Sequence, residues 1–206
     1  MKQDQFSQEL QLLGHFPRMD FVGGLYYFHE KGEEIAHVPN TLQFNADGTA
    51  YTPLPILSLA DVAPSRASNS ETNSFVTFEQ ATYTPPLLGN RLHLTAGARY
   101  TSEKKHGDLF IVDGAGTDYS FRTKSSRVDP MAIAAFDISN NVNIYAKWGT
   151  AYRAGGANAR SFTYRAYDPE EVETTEIGLK SELFDRHVRL NLAAFSTATK
   201  TSRSTS

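Results

Sequence analysis

The sequence predicts an all-β chain: an antiparallel, up-and-down transmembrane β-barrel segment of about eight strands. Three observations carry this reading. Apolar and polar residues alternate with the period of two that strands impose. Short and long connections alternate along the chain, and aromatic residues gather near the strand ends, where an interfacial girdle would stand.

Composition sets the outer limits. Of 206 residues, 40% are apolar and 12% aromatic, with 10 Tyr and 13 Phe against a single Trp. The net charge of -3 supplies no basic field for a nucleic-acid backbone, so no nucleic-acid partner is expected. The chain has no cysteine, which removes disulfides, thiolate metal sites and a cysteine nucleophile. The longest apolar runs, Leu54 to Ala60 and Met131 to Phe136, fall far short of the roughly 20 residues of a membrane helix. Lys2, Gln3, Asp4 and Gln5 follow Met1 with no apolar run behind them, so no secretory signal is read here.

In order, Phe6, Leu10 and Leu12 share one face of an opening strand and Ser7, Glu9 and Gln11 the other. A turn at Gly14 to Arg18 leads into Asp20 to Glu30. There Val22, Tyr26 and Phe28 oppose Phe21, Leu25 and Tyr27, so periodicity leaves the orientation open. Lys31 to Thr72, with Pro39, Pro53, Pro55 and Pro64, reads as a long irregular connection. Asn73 to Thr84 returns to strand, and Pro85, Pro86, Gly89 and Asn90 mark a short turn. Leu92, Leu94, Ala96, Ala98 and Tyr100 then alternate with His93, Thr95, Gly97, Arg99 and Thr101. Lys104 to Asp118, broken by Gly107, Gly114 and Gly116, reads as a second long loop. Tyr119 to Asp137 is strand again, with Pro130 required to sit at an edge, bulge or bend.

After a turn at Ser139 to Asn141, Val142, Ile144, Ala146 and Trp148 alternate with Asn143, Tyr145 and Lys147. Beyond a third long loop, Arg153 to Glu173, the residues Thr175, Ile177, Leu179 and Leu183 alternate with Glu176, Gly178, Lys180 and Glu182. A turn at Asp185 to His187 precedes Val188, Leu190, Leu192 and Ala194, which alternate with Arg189 and Asn191. In an up-and-down sheet the three long loops emerge from one end, the arrangement of outer-membrane barrels. Tyr26, Tyr27, Phe28, Tyr100, Tyr119, Phe121, Trp148 and Tyr152 fall near that end, and Tyr83, Phe136 and Phe184 near the other.

Specific words add to the pattern. Asn143-Ile-Tyr-Ala-Lys-Trp-Gly-Thr-Ala-Tyr-Arg-Ala-Gly-Gly-Ala-Asn158, Asp168-Pro-Glu-Glu-Val, Thr175-Glu-Ile-Gly-Leu-Lys-Ser181 and Arg189-Leu-Asn-Leu-Ala-Ala-Phe195 resemble strands and loops of TonB-dependent outer-membrane receptors. Phe6-Ser-Gln-Glu-Leu-Gln11, Gly24-Leu-Tyr-Tyr-Phe28 and Thr95-Ala-Gly-Ala-Arg-Tyr-Thr101 are similar to other barrel strands of the family. The resemblance implies a plugged barrel of about 22 strands that takes up scarce nutrients. It further implies outer-membrane lipid around the barrel, a plug domain, the TonB energy-coupling protein and a small-molecule ligand of siderophore type. Residues 1–199 are then expected to be part of such a barrel, with 200–206 a disordered polar tail. The signal, plug and coupling box are not recognised, so a truncated gene product or gene fragment, not competent for transport alone, is expected.

Chemistry beyond binding finds no support. His15, His29, His37, His93, His106 and His187 show no ligand spacing. Asp113-Gly-Ala-Gly-Thr-Asp118 lacks the spacing of a calcium loop, and no nucleophile elbow, P-loop or dinucleotide fingerprint occurs. No catalytic residue, metal or cofactor is therefore expected. Alternation puts Arg99, Lys147, Glu176, Lys180, Glu182 and Arg189 on the face away from lipid, because Arg or Lys at mid-membrane costs about 2 to 4 kcal/mol. They are read as lumen-wall charges. Arg153, Arg160 and Arg165, in the third long loop, are candidates for bidentate pairing with an anionic siderophore. Two alternatives stay open: a self-contained eight-stranded barrel acting as adhesin or anchor, and a soluble β-sandwich that binds carbohydrate.

Overall fold

The computed structural model describes residues 1–37, 42–53, 64–161 and 164–201. Eight long strands form one sheet: β1 (Lys2–Phe16), β2 (Met19–Ala36), β5 (Arg66–Tyr83), β6 (Leu92–Val112), β7 (Ala115–Ser139), β8 (Val142–Arg153), β11 (Glu170–Leu183) and β12 (Val188–Thr201). Every neighbouring pair is antiparallel and the order in the sheet follows the chain. Two small ladders decorate the connections: β3 (Leu42–Phe44) with β4 (Tyr51–Pro53), and β9 (Gly156–Ala157) with β10 (Ala166–Tyr167).

Cross-strand register joins the eight alternations into two continuous faces, because directly opposed residues share a side. One apolar row runs through Leu92, Phe136, Ile144, Leu179 and Leu192, and the next through Leu94, Ala134, Ala146, Ile177 and Ala194. The same pairing settles residues 19–30. Phe21, Leu25 and Tyr27 join the apolar face through Ala81, Thr77 and Phe75, while Val22, Tyr26 and Phe28 fall on the polar one.

Among the described residues the apolar face has no second layer. Leu10, Leu12, Ile177 and Leu192 stand 57–66% exposed, and the molecule presents 14498 Å² of surface. A compact globular monomer of this mass would present roughly 9,600 Å². That excess removes the β-sandwich reading, which needs a second packed sheet. Among the described residues β1 pairs only with β2 and β12 only with β11, so the sheet is open and the self-contained eight-stranded barrel does not form.

Two expectations are corrected. Lys31–Ala36 and Arg66–Thr72 belong to β2 and β5, leaving 37–65 as the connection; Pro39 and Pro55 lie outside the described residues. The second long loop is mostly ladder: β6 and β7 rise together to Val112 and Ala115 and close on Asp113-Gly114, both at positive φ, the two-residue turn a twisted hairpin favours. Polar sequence suits a ladder in water as well as it suits a loop. At the C-terminus Lys200 and Thr201 lie in β12, and 202–206 lie outside the described residues.

The aromatic girdle is also narrower than expected. Tyr27, Phe75, Tyr100 and Trp148 stand on the apolar face toward the long-connection end, with Tyr83 and Phe136 toward the other. Tyr26, Phe28 and Phe121 lie on the polar face. Phe75 and Tyr83, eight residues apart on β5, are separated by roughly 20 Å along the membrane normal at ordinary barrel tilt. One carboxylate interrupts this band: Glu79 lies on the apolar face between Gly23 and Ala98. Pro130 occupies an interior position of β7, but pairing to β8 stops at Met131, leaving Pro130 at the end of that ladder.

Candidate functional site

The polar face carries three groups of side chains, each set by register. Near the short turns, His93 Nε2 and Asp137 lie 2.8 Å apart, Asn143 donates to Asp137 at 2.8 Å, and Thr84 and His93 share a hydrogen bond of 3.0 Å. On the last hairpin Glu182 pairs with Arg189 at 2.7 Å and Arg186 at 3.2 Å. Tyr145 donates to Glu176, and the Lys180 ammonium sits 5.2 Å from the Tyr145 ring centre, a cation–π distance.

Midway along the strands, Arg99 opposes Asp129 across β6 and β7. Asp129 is almost fully buried, accepts from Arg127 at 2.9 Å and from Thr150 at 3.1 Å, and Arg127 also pairs with Glu171. Removing one partner of such a buried pair is costly, because the other is left uncompensated. A cleft of about 560 Å³ opens beside this group, with Phe78, Arg99, Asp129 and Tyr152 in its wall.

The third group is built by residues 154–161 and 164–169 of the third connection, which fold back over the polar face instead of projecting from the strand ends. Tyr164 is its anchor: 2% exposed, it packs with Leu109 and Val112 and meets the Phe121 ring edge-on at 5.0 Å. Its hydroxyl donates to the Asn69 carbonyl at 3.1 Å. Gly107 allows this approach, since a Cβ there would lie 2.7 Å from the Tyr164 oxygen. Tyr164 holds φ +50°, a left-handed conformation that needs surrounding contacts to persist. Burial pushes its phenol pKa above the usual value. Arg66 adds a second tie, donating to the carbonyls of Ala159 at 2.7 Å and Ser161 at 3.2 Å.

The expected site residues are distributed unevenly over these groups. Arg99, Lys147, Glu176, Lys180, Glu182 and Arg189 share the polar face, Lys147 opposing Glu176, Lys180 opposing Asn143 and Glu182 opposing Arg189. Of the three arginines expected in the third long loop, Arg153 instead closes β8 opposite Glu170, and Arg160 is engaged by Glu34 of β2, which occupies the charge an anion would need. Arg153 and Arg165 are exposed and make no ion pair among the described residues. Sequence reading missed Arg66, Arg127, Asp129 and Tyr164. The i, i+2 spacing of Arg127 and Asp129 on one strand face was a usable signal, whereas Tyr164 had none, because its partners are distant in sequence. An apolar groove of about 650 Å³ lined by Ala134, Ile144, Ile177 and Leu192 lies on the opposite, apolar face.

The same architecture occurs in known proteins. The sequence matches the family described as TonB dependent receptor-like, beta-barrel, over residues 2–201. The probable TonB-dependent siderophore receptor PiuA of Acinetobacter baumannii is 27% identical over 160 residues, covering 74% of this chain and 21% of that protein. The ferric yersiniabactin uptake receptor FyuA of Yersinia pestis superposes on 96% of this chain and 29% of its own, with a TM-score of 0.74 at 17% identity. The crystal structure of PiuA gives a TM-score of 0.63 at 20% identity, over 94% of this chain and 31% of that one. The chain thus spans between about a fifth and a third of the length of these relatives. With its eight-stranded up-and-down sheet and its match along nearly the whole sequence, this chain belongs to the TonB-dependent receptor β-barrel family, whose members are outer-membrane proteins.

Proposed function

We propose that the chain forms part of the wall of an outer-membrane receptor for a siderophore-type ligand, with its apolar face to lipid and its polar face to the lumen. The observation that carries this reading is the continuous partition of faces across all eight strands, together with a connection that bends inward over the polar face. Arg99, Lys147, Glu176, Lys180, Glu182 and Arg189 hydrate and brace the wall. Arg153 and Arg165, which make no ion pair among the described residues, offer their guanidinium groups to an anionic ligand, and Arg160 ties the loop to Glu34. Binding and passage require no covalent chemistry from these residues. In the whole receptor the plug and the TonB protein supply gating, and residues 1–199 act as barrel. An open sheet encloses no lumen, so this chain alone does not transport.

The test replaces the matching stretch of the PiuA barrel with residues 2–201 and measures binding of radio-iron loaded onto catecholate, hydroxamate and carboxylate chelators. Binding of one ferric chelate, weakened at least tenfold in an Arg153→Gln/Arg165→Gln variant, is expected; each lost charge-assisted contact is worth about 1.5–3 kcal/mol. A chimera that reaches the outer membrane and binds none of the three overturns the siderophore assignment. Energy-dependent iron uptake by the unaltered chain in receptor-deleted cells overturns the prediction that it cannot transport alone.

A further inference from the structure

Immediately beyond the Tyr27–Phe75 row, toward the long connections, two rows of the lipid-side face change character. The first holds Phe6, His29, Asn73, Lys104 and Lys124, and the second Asp4, Lys31, Glu71, His106 and Arg122. Lys104 directly opposes Lys124, and Arg122 lies two residues along β7 from Lys124 on the same face. Like charges opposed across a ladder destabilise a sheet, and the carboxylates in these rows do not compensate them. Glu71 is taken by Lys31 at 3.3 Å and His106 at 3.7 Å and accepts from Asn73 at 3.1 Å. Asp4 stands on β1, with Lys31 and Glu71 between it and His106. Lys104, Arg122 and Lys124 are exposed and make no ion pair among the described residues.

We propose that Lys104, Arg122 and Lys124 form a docking site on the outside of the wall for the phosphorylated headgroup of an outer-leaflet lipid. This rests on the lipid-facing assignment of the apolar side. The argument is one of level and charge. Val128 and Tyr100 oppose each other within the apolar band, and Lys124 and Lys104 lie four residues farther along the same strands. That distance is about 13 Å along each strand, which lifts the ammonium groups out of hydrocarbon and into the headgroup layer. A phosphate lying between the three cations of these two adjacent strands supplies the missing neutralisation. A guanidinium and two ammoniums also match its oxygens. The lipid would offset the like-charge repulsion, so the site stabilises the outer half of the β6–β7 hairpin only where the lipid is present.

The test uses the full chain refolded into dodecyl maltoside micelles, titrated with lipid A bearing its phosphates and with the same lipid dephosphorylated. Protease protection of the β2 to β7 strands reports embedding. The phosphorylated form is expected to bind tighter, and Lys104→Gln/Arg122→Gln/Lys124→Gln to lose about 100-fold in affinity, from about 1 kcal/mol per surface cation. A control of equal charge change, Lys105→Gln/Lys147→Gln/Lys180→Gln, stays within about twofold. In lipid-free micelles the first variant is at least as heat-stable as the parent, because opposed charges have been removed. Equal loss in both variants, no preference for the phosphorylated lipid, or equal binding of inorganic phosphate overturns the proposal. A chain that embeds in no micelle overturns the lipid-facing assignment and this site with it.

Discussion

The Tyr145 ring occupies the space where a side chain on Gly178 would stand. The two residues oppose each other across β8 and β11, and a Cβ on Gly178 would lie 2.4 Å from the ring carbons. The ring position in turn places the hydroxyl on Glu176 and the face beneath Lys180. Gly178→Ala therefore drives the ring from its seat, and a cost of about 1–3 kcal/mol is expected from overpacking. In a Tyr145→Ala background the same substitution gains about 0.5–1 kcal/mol, because glycine is a poor strand residue. Urea unfolding of the four proteins in micelles reads the change of sign; equal effects in both backgrounds would refute the seat.

Tyr164 governs whether the 154–169 connection stays on the polar face. Tyr164→Phe keeps the packing on Leu109, Val112 and Phe121 and loses the bond to Asn69, an expected cost of about 0.5–1.5 kcal/mol. Tyr164→Ala removes the anchor and should release the loop, costing about 3–5 kcal/mol of docking. Amide exchange of 154–161 measures both, and a loop equally protected in all three proteins contradicts the anchoring role.

The same residue sets an alkaline limit. Burial raises the Tyr164 pKa above its ordinary value near 10, so docking favours the neutral phenol. Its contribution is complete below the pKa of the free loop and falls as pH rises through the higher docked value. Protease cleavage within 154–169 should accelerate at strongly alkaline pH in the parent and show no such step in Tyr164→Phe.

Glu71, beyond the lipid band, behaves oppositely. The hydrogen bond from Asn73, and then Lys31 and His106, hold its carboxyl below the usual value of 4.5. Its contribution is present above the unfolded-chain pKa and is lost as pH falls through the lowered one. Exchange protection of β5 and β6 near Glu71 should weaken on acidification, and Glu71→Gln should flatten that dependence; an unchanged acid profile would discount the network.

Glu79 is the exception on the apolar face. Carboxylates at mid-band cost less than Arg or Lys, and Glu79→Leu should stabilise the embedded chain by about 1 kcal/mol. Gln80→Leu, on the polar face, should give no such gain. Heat denaturation in micelles distinguishes the two, and a destabilising Glu79→Leu would mean that the carboxylate has a partner in the membrane.

Alternation by itself determined the strand number, the antiparallel order and the faces of Arg99, Lys147, Glu176, Lys180, Glu182 and Arg189. The reason is local: a charge misplaced by one residue would meet hydrocarbon, so each strand carries its own record of inside and outside. Where both sides are apolar, as from Phe21 to Phe28, that record is blank, and pairing with β5 decided the orientation. Strand ends were also invisible, because polar residues suit a ladder in water as well as a loop, which is how Lys104 to Val112 came to extend β6. Only the tertiary structure folded 154–169 inward, spent Arg160 on Glu34 and brought Tyr164 to Asn69. Those contacts join residues 95 or more positions apart, a separation at which neighbouring sequence carries no trace of the partner.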